Sequence, residues 1–271
     1  VILLLTIFWI RKMIDIQNQP DYRKIPIDKV GIKGLKYPIK VRDKSKGLQS
    51  TVAQISMYVD LPHQCKGTHM SRFVEILHVF RTQVSLESLK NILEDMKKIL
   101  GAESSHIEIT FPYFIEKRSP ETGSKGLMDY TCSIIGSSNG SKVTDIVLTV
   151  AVPVTSVCPC SKEISEYGAH NQRGEVLVST RFEKFIWIEE IVELVEKSAS
   201  CEIFSVLKRE DEKFVTEKAY ENPKFVEDIA RDVAKILMED TNITWFSVSA
   251  ENFESIHNHS AYAYIEKNNG V

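Results

Sequence analysis

Residues 156–173, SVCPCSKEISEYGAHNQR, hold the densest concentration of reactive side chains in the chain. Cys158 and Cys160 flank a proline, and His170 follows Cys158 by twelve positions. A thiolate is a soft, charged ligand and an imidazole a borderline one, so a Cys and a His converging on a point suit zinc or iron, with manganese less favoured. The spacing is not that of a zinc finger, because C-x-C departs from the usual pattern and no second Cys/His pair lies nearby. By itself it leaves two inert thiols as an equal reading. Placement favours chemistry: the strand pattern runs out into a loop at the cysteine pair, and Lys162 supplies the positive charge that favours a thiolate.

Two further stretches could contribute. Residues 207–228, LKREDEKFVTEKAYENPKFVED, offer the carboxylates Glu210, Asp211, Glu212, Glu217, Glu221, Glu227 and Asp228. Most of these read as a solvated charged segment around a helix start. Asn222 before Pro223 reads as a helix cap with Pro in the first position. Glu227 then falls in the first turn, where the positive helix end favours a carboxylate. Residues 251–259, ENFESIHNH, place His257 and His259 two apart. On extended backbone that spacing puts both imidazoles on one side, as metal ligands or as an acid–base pair with Glu254; surface histidines are the plainer reading. A phosphate loop is not present. Residues 136–142, GSSNGSK, fail the G-x-x-x-x-G-K-[ST] pattern and read as a turn between strands. G-x-G-x-x-G does not occur, which weakens a nicotinamide-dependent reading.

The elements that must position these groups alternate in period. Residues 28–42 and 48–61 alternate apolar and polar positions as half-buried strands do. Residues 71–80 and 86–100 carry apolar residues three and four apart, as amphipathic helices do, and Ser85 with Ser88 offers a helix start. Strand patterns return at 105–116 and 127–135. The second half repeats the order, with strands at 142–157 and 174–182, helices at 188–198 and 225–238, and strands at 243–252 and 261–266. Two tandem ββααββ units, 13–140 and 141–271, therefore form the expectation, an α+β architecture with antiparallel sheets and helices on one face. The second unit carries most of the candidate site. Open edges of four-stranded sheets would be closed by joining subunits into barrels.

Composition narrows the class. The chain has 271 residues, 43% hydrophobic, with a formal net charge of −3. That is the profile of an ordinary globular protein and excludes a disordered or fibrous chain. Near-neutral charge argues against a broad nucleic-acid-binding face but allows a local basic pocket for a phosphorylated small molecule. Five cysteines, too few for a disulfide scaffold, fit a reducing, cytoplasmic location. Residues 1–12, VILLLTIFWIRK, are too short to span a bilayer and lack the layout of a signal peptide. We read them as a leader upstream of a start at Met13, with a short membrane-surface anchor as the second reading.

Together CPCSKEISEYGAHNQRGE, LKREDEKFVTEKAYENPKFVED and ESIHNH, with GTHMSR at 67–72 and VGIKGLKYPI at 30–39, resemble the GTP cyclohydrolase IB family over roughly residues 15–267. The resemblance implies a tunnelling fold in a homotetramer with active sites at subunit interfaces. It implies conversion of GTP and water to 7,8-dihydroneopterin triphosphate and formate, at the start of tetrahydrofolate and pterin synthesis. A nucleophilic water is needed at guanine C8, and a divalent cation lowers the pKa of bound water from about 15.7 toward about 7. By resemblance, Cys158, His170 and Glu212 fall at the metal-binding positions, with zinc, manganese or iron as the ion. Glu227 falls at the anchor for the N1–H and amino edge of the purine, where an acceptor-only carboxylate complements two donors. Cys158, Glu254, His257 and His259 fall among the catalytic positions, the last three as groups that move protons. Lys162, Arg173, Arg72 and Lys208 are candidates for the triphosphate. Cys160 is left either behind the ligands or in place of Cys158 in one state. Two rivals remain: a nitrile reductase of the same fold, acting on a deazaguanine through a nucleophilic cysteine, and a non-catalytic purine-binding subunit.

Overall fold

The structure is a computed structural model that describes residues 17, 19–80, 85–140 and 144–269. The leader at residues 1–12 lies outside the described residues. Two long strands, β1 (Ile27–Asp43) and β2 (Gly47–Leu61), are followed by helices α1 (Met70–Phe80) and α2 (Leu86–Leu100) and then by strands β3 (Ser104–Arg118) and β4 (Lys125–Asn139). From β5 (Asp145–Val157) the order is more elaborate: α3 (Pro159–Ile164), β6 (Asn171–Phe182), α4 (Ile188–Ser198), β7 (Cys201–Glu202), α5 (Arg209–Glu221), α6 (Val226–Glu239), β8 (Ile243–Asn252) and β9 (Ala261–Asn268). The short elements α3 and β7, and helix α5, carry too little apolar periodicity to stand out in the sequence.

All strand pairs are antiparallel, in the spatial order β1-β2-β3-β4-β5-β6-β8-β9, with β7 on the far side of β5. β4 pairs directly with β5, from Thr131↔Ala151 to Ser137↔Asp145, so one sheet runs through the chain. Residues 136–139, expected as part of a turn, belong to β4: all four pair with β3, and Gly136 and Ser137 pair with β5 as well. β1 and β9 form the two sheet edges among the described residues.

Strand alternation fills the core from one face. Ala53, Ile55, Met57 and Val59 of β2, Ile107, Ile109 and Phe111 of β3, and Val150, Val152 and Val154 of β5 all point into one cluster. Helices α1, α2, α4 and α6 supply the other side of that cluster through Phe73, Leu93, Met96, Val195, Ile229 and Val233. Truncating a fully buried member, as in Leu93→Ala, costs about 2–5 kcal/mol. Helix α5 departs from the one-face arrangement. Its mostly charged sequence buries Ala219 with Val157 and Cys201 in a small separate cluster, to which Val215 and Ala169 add. Among the described residues no helix is long and apolar enough to cross a membrane.

Local chemistry sets the element ends. Ser85 and Ser88 form the capping box expected of α2: the Ser88 N–H donates to Ser85 Oγ at 3.1 Å and the Ser85 N–H to Ser88 Oγ at 2.8 Å. Gly101 closes the helix at φ 65°, a conformation that disfavours a Cβ. At the β1–β2 turn, Asp43 is buried and its carboxylate accepts from the Ser45 N–H and hydroxyl, the Lys46 N–H and the Gln49 amide. Burial raises the Asp43 pKa, but these donors outweigh it and hold the group below the usual carboxylate range. A depressed folded pKa contributes stability above the unfolded value of about 3.9 and loses it as pH falls further. Asp43→Asn should therefore lower the melting temperature at neutral pH by about 2–4 °C. The gap between variant and parent should narrow below about pH 4; a constant gap in thermal scans across pH would show that the charge is not what holds the turn.

Candidate functional site

Two backbone ladders end together and bring Cys158 to His170. β5 pairs with β6 through Val157↔Asn171, and the Cys158 N–H extends that ladder by donating to the His170 carbonyl at 3.1 Å. The intervening residues form a closed excursion. Cys158 caps α3, with Pro159 in its first turn and the Ser161 N–H donating to Cys158 Sγ at 3.5 Å. The His170 N–H in turn donates to Ser161 Oγ at 2.8 Å. The twelve-residue spacing is thus the length of one turn of chain that leaves the sheet and returns beside its starting point.

Three side chains converge on His170 Nδ1. Gln172 Oε1 lies at 2.9 Å, Ser255 Oγ at 3.5 Å and Glu254 Oε2 at 3.8 Å. An amide oxygen only accepts, so the short contact places the proton on Nδ1 and leaves the Nε2 lone pair to the site. The Glu254 side chain is only 12% exposed, and its Oε2 is buried with no hydrogen-bond partner. A carboxylate oxygen in that state can accept a hydrogen bond or a proton from a donor that reaches it. Phe253 directs Glu254 there, because its N–H donates to the Arg173 carbonyl and continues the β8–β6 ladder.

Helix α5 is fastened by Asp211. This fully buried carboxylate accepts from the N–H groups of Glu121, Thr122 and Lys208 and from the Thr122 hydroxyl. Burial raises its pKa, but the four donors hold it well below the usual carboxylate range. Asp211 therefore has a structural task within a segment that reads as uniformly solvated. The next residue, Glu212, is exposed in the first turn. It lies one helical turn before Thr216, on the stripe that includes Val215 and Ala219. Val215, Thr216 and Ala219, but not Glu212, line an open cleft of about 310 Å³ bounded by Gln172 and Arg173 of β6 and Cys201 and Glu202 of β7. Burial pushes the Cys201 thiol up to about 12, so it is inert at neutral pH. Burial also raises Glu202, but its ion pair with Lys218 at 2.5 Å prevails and keeps it ionised.

The remaining candidates fall in several places. The Asn222–Pro223 pair does not start a helix: α6 begins at Val226, and Asn222 ends α5, donating through Nδ2 to the carbonyls of Ala199 and Ser200. Those two acceptors outcompete a capping role. Glu227 nevertheless stands exposed in the first turn of α6, as expected. Lys162 is committed elsewhere. Its ammonium donates to the Tyr220 carbonyl at 2.5 Å and lies 4.4 Å from the Tyr220 ring centroid, tying α3 to the end of α5. Arg173 is exposed at the cleft, whereas Arg72 lies on α1 in the other half of the chain and donates to the Ile99 carbonyl at 3.3 Å. Lys208 sits at the start of α5. His257 and His259 stack with centroids 5.1 Å apart in the exposed loop before β9, on one side as their spacing predicts. Glu254 faces His170.

Among the described residues no three His, Cys, Asp or Glu side chains close on a single point within one chain at metal-binding range. The donor types nonetheless suit a divalent ion: a cysteine and a histidine are brought to neighbouring backbone positions, and the Gln172 contact favours the tautomer that a ligating histidine needs. Gln172 escaped the sequence reading, although its position two after His170 at a strand start was a legible signal for a same-side partner. Asp211 gave no such signal, because three of its four donors come from the distant β3–β4 turn.

Comparison with known proteins is decisive about kinship. Residues 13–263 match the family described as Type I GTP cyclohydrolase folE2. The chain is 62% identical over 253 residues to the GTP cyclohydrolase FolE2 of Desulfosudis oleivorans, covering 93% of this chain and 97% of that one. It is 60% identical over 255 residues to the FolE2 of Syntrophus aciditrophicus, covering 94% and 100%. Among solved structures, uricase from Arthrobacter globiformis superposes with a TM-score of 0.53 at 9% identity, covering 89% of this chain and 93% of that one. A uricase from Bacillus fastidious gives 0.54 at 9% identity, covering 92% and 94%. At such low identity the uricases show only a shared fold, an antiparallel sheet backed by helices. Neither the nitrile reductase nor a non-catalytic subunit is favoured by these matches. With nearly its whole length matched at this identity, the chain belongs to the type I GTP cyclohydrolase folE2 family.

Proposed function

We propose that this protein hydrolyses GTP to 7,8-dihydroneopterin triphosphate and formate as a metal-dependent enzyme of the IB branch, acting in the cytoplasm. The observation that carries the reading is the junction at which Cys158, His170, Gln172 and Glu254 meet at the end of β5. Cys158, His170 and Glu212 would hold the ion, zinc, manganese or iron, which when bound supplies Lewis acidity for hydrolysis at neutral pH. Glu227 accepts the N1–H and amino protons of the purine and orients C8 toward the junction. Glu254 Oε2, buried and without a partner, takes a proton as water adds at C8. His257 and His259, stacked and exposed, carry protons to the ring nitrogen released on opening and during the sugar rearrangement.

The organisation follows the same reading. Units 13–140 and 141–271 act as tandem ββααββ modules of a tunnelling fold, whose edges β1 and β9 join other subunits in a homotetramer. Arg72, placed in the other half of the chain, would then reach a site from a neighbouring subunit and join Arg173 at the triphosphate. Lys162, already bound to Tyr220, contributes through the fold unless substrate draws it away.

The primary test is formate release and pterin fluorescence from GTP with chelated protein, then with manganese, zinc and ferrous iron each restored. Recovery with a metal is expected; no turnover with any of them in the assembled oligomer would overturn the reading. Cys158→Ser, His170→Ala and Glu212→Gln should each abolish turnover through loss of bound metal, measured by elemental analysis. Glu227→Gln should keep its metal and raise KM for GTP by about tenfold or more. A Glu212→Gln protein with full metal content and full rate would remove Glu212 from the ligand set. Gln172→Leu should weaken metal retention against a chelator by about 10- to 100-fold; retention equal to the parent would show that the tautomer is set without it.

A further inference from the structure

We propose that Ser156, Gly174 and Asn252 form a buried relay that fixes the relative positions of the three segments bearing Cys158, Glu227 and Glu254, an inference whose functional part rests on the reading above. Asn252, 3% exposed, is the last residue of β8 and lies in register with Gly174 on β6, which in turn lies opposite Val154 on β5. The Asn252 amide does not stop at its neighbour strand. It crosses β6 and donates through Nδ2 to Ser156 Oγ on β5 at 3.1 Å. Only a glycine permits this crossing, because a Cβ at position 174 would lie 2.6 Å from Asn252 Oδ1 and 3.1 Å from the Glu251 carbonyl oxygen.

Ser156 is fully buried and passes the link on. Its hydroxyl donates to the Lys224 carbonyl at 3.0 Å, and the Lys224 N–H returns to the Val157 carbonyl at 3.1 Å. One hydroxyl thereby ties together three segments that are remote in sequence. Each tie stands next to a residue placed in the site: Ser156 two before Cys158, Lys224 three before Glu227, and Asn252 two before Glu254. The relay has a single polarity. A carbonyl only accepts, so the one hydroxyl proton of Ser156 goes to Lys224 and the amide of Asn252 must donate to the hydroxyl. An Asp at 252 would keep the shape, offer only acceptors, and draw the hydroxyl proton away from the loop that leads into α6. These three residues are positioning residues; none of them faces the reactants.

The test uses full-length Ser156→Ala, Asn252→Asp and Gly174→Ala proteins, measured for kcat and KM with GTP and for amide hydrogen exchange. Exchange of residues 222–228 should accelerate in each variant while the later turns of α6 and the middle of β8 stay protected. KM should rise and kcat fall together, lowering kcat/KM by about 10- to 100-fold. A Ser156→Ala/Asn252→Ala double variant should lose no more than the worse of its two singles, because both break one chain of bonds without adding a buried charge. Folded variants with unchanged kcat and KM, or single losses that multiply in the double, would overturn the proposal. Should the parent protein release no formate, the proposed reaction fails. The exchange data then decide the relay alone, and unchanged protection at 222–228 overturns it.

Discussion

The hydrogen bond from the Cys158 N–H to the His170 carbonyl is the constraint on which the site depends. It is the last rung of the β5–β6 ladder and the first contact outside regular structure. Because it closes the excursion through α3, a thiol and an imidazole twelve residues apart become backbone neighbours. A ladder is stiff along its length, so the relative position of the two groups is inherited from the sheet and not from a mobile loop.

The sheet can supply that stiffness because both ends of it are anchored in one core. Continuous pairing from β4 into β5 makes the halves of the chain share a single cluster, and the helices α4 and α6 press β5, β6 and β8 from one side. Helix α5 plays another part. It has little apolar surface and is held by polar contacts: Asp211 at its start, Lys218 with Glu202 near its end, and Lys162 against Tyr220. A helix held in this way follows whatever its polar partners do, which suits an element that lines a cleft and carries a candidate ligand.

Burial decides the chemical character of otherwise similar groups here. Cys201 and Cys158 lie near one another along the same strand region, yet the first is enclosed with Ala219 and has its thiol pushed up to about 12, while the second stands at a helix start. Glu254 and Asp211 are both deeply placed carboxylates. Asp211 satisfies its oxygens with four donors and is thereby structural, whereas Glu254 leaves Oε2 without one and keeps an acceptor open beside His170.

Much of this was readable from residue order alone. The period of apolar positions located the long strands and the amphipathic helices, and the Ser85/Ser88 box marked the start of α2, because such signals depend on neighbours within one turn or one strand. The motifs around Cys158, Glu212 and His257 marked the reactive stretches and the kinship. Tertiary structure alone decided that β4 pairs with β5 in one continuous sheet, that Asn222 ends a helix, that Lys162 is spent on Tyr220, and that Glu254 faces His170. The physical reason is common to all four. Each depends on which distant backbone or side chain offers the competing hydrogen bond, and a sequence window contains only one of the two partners.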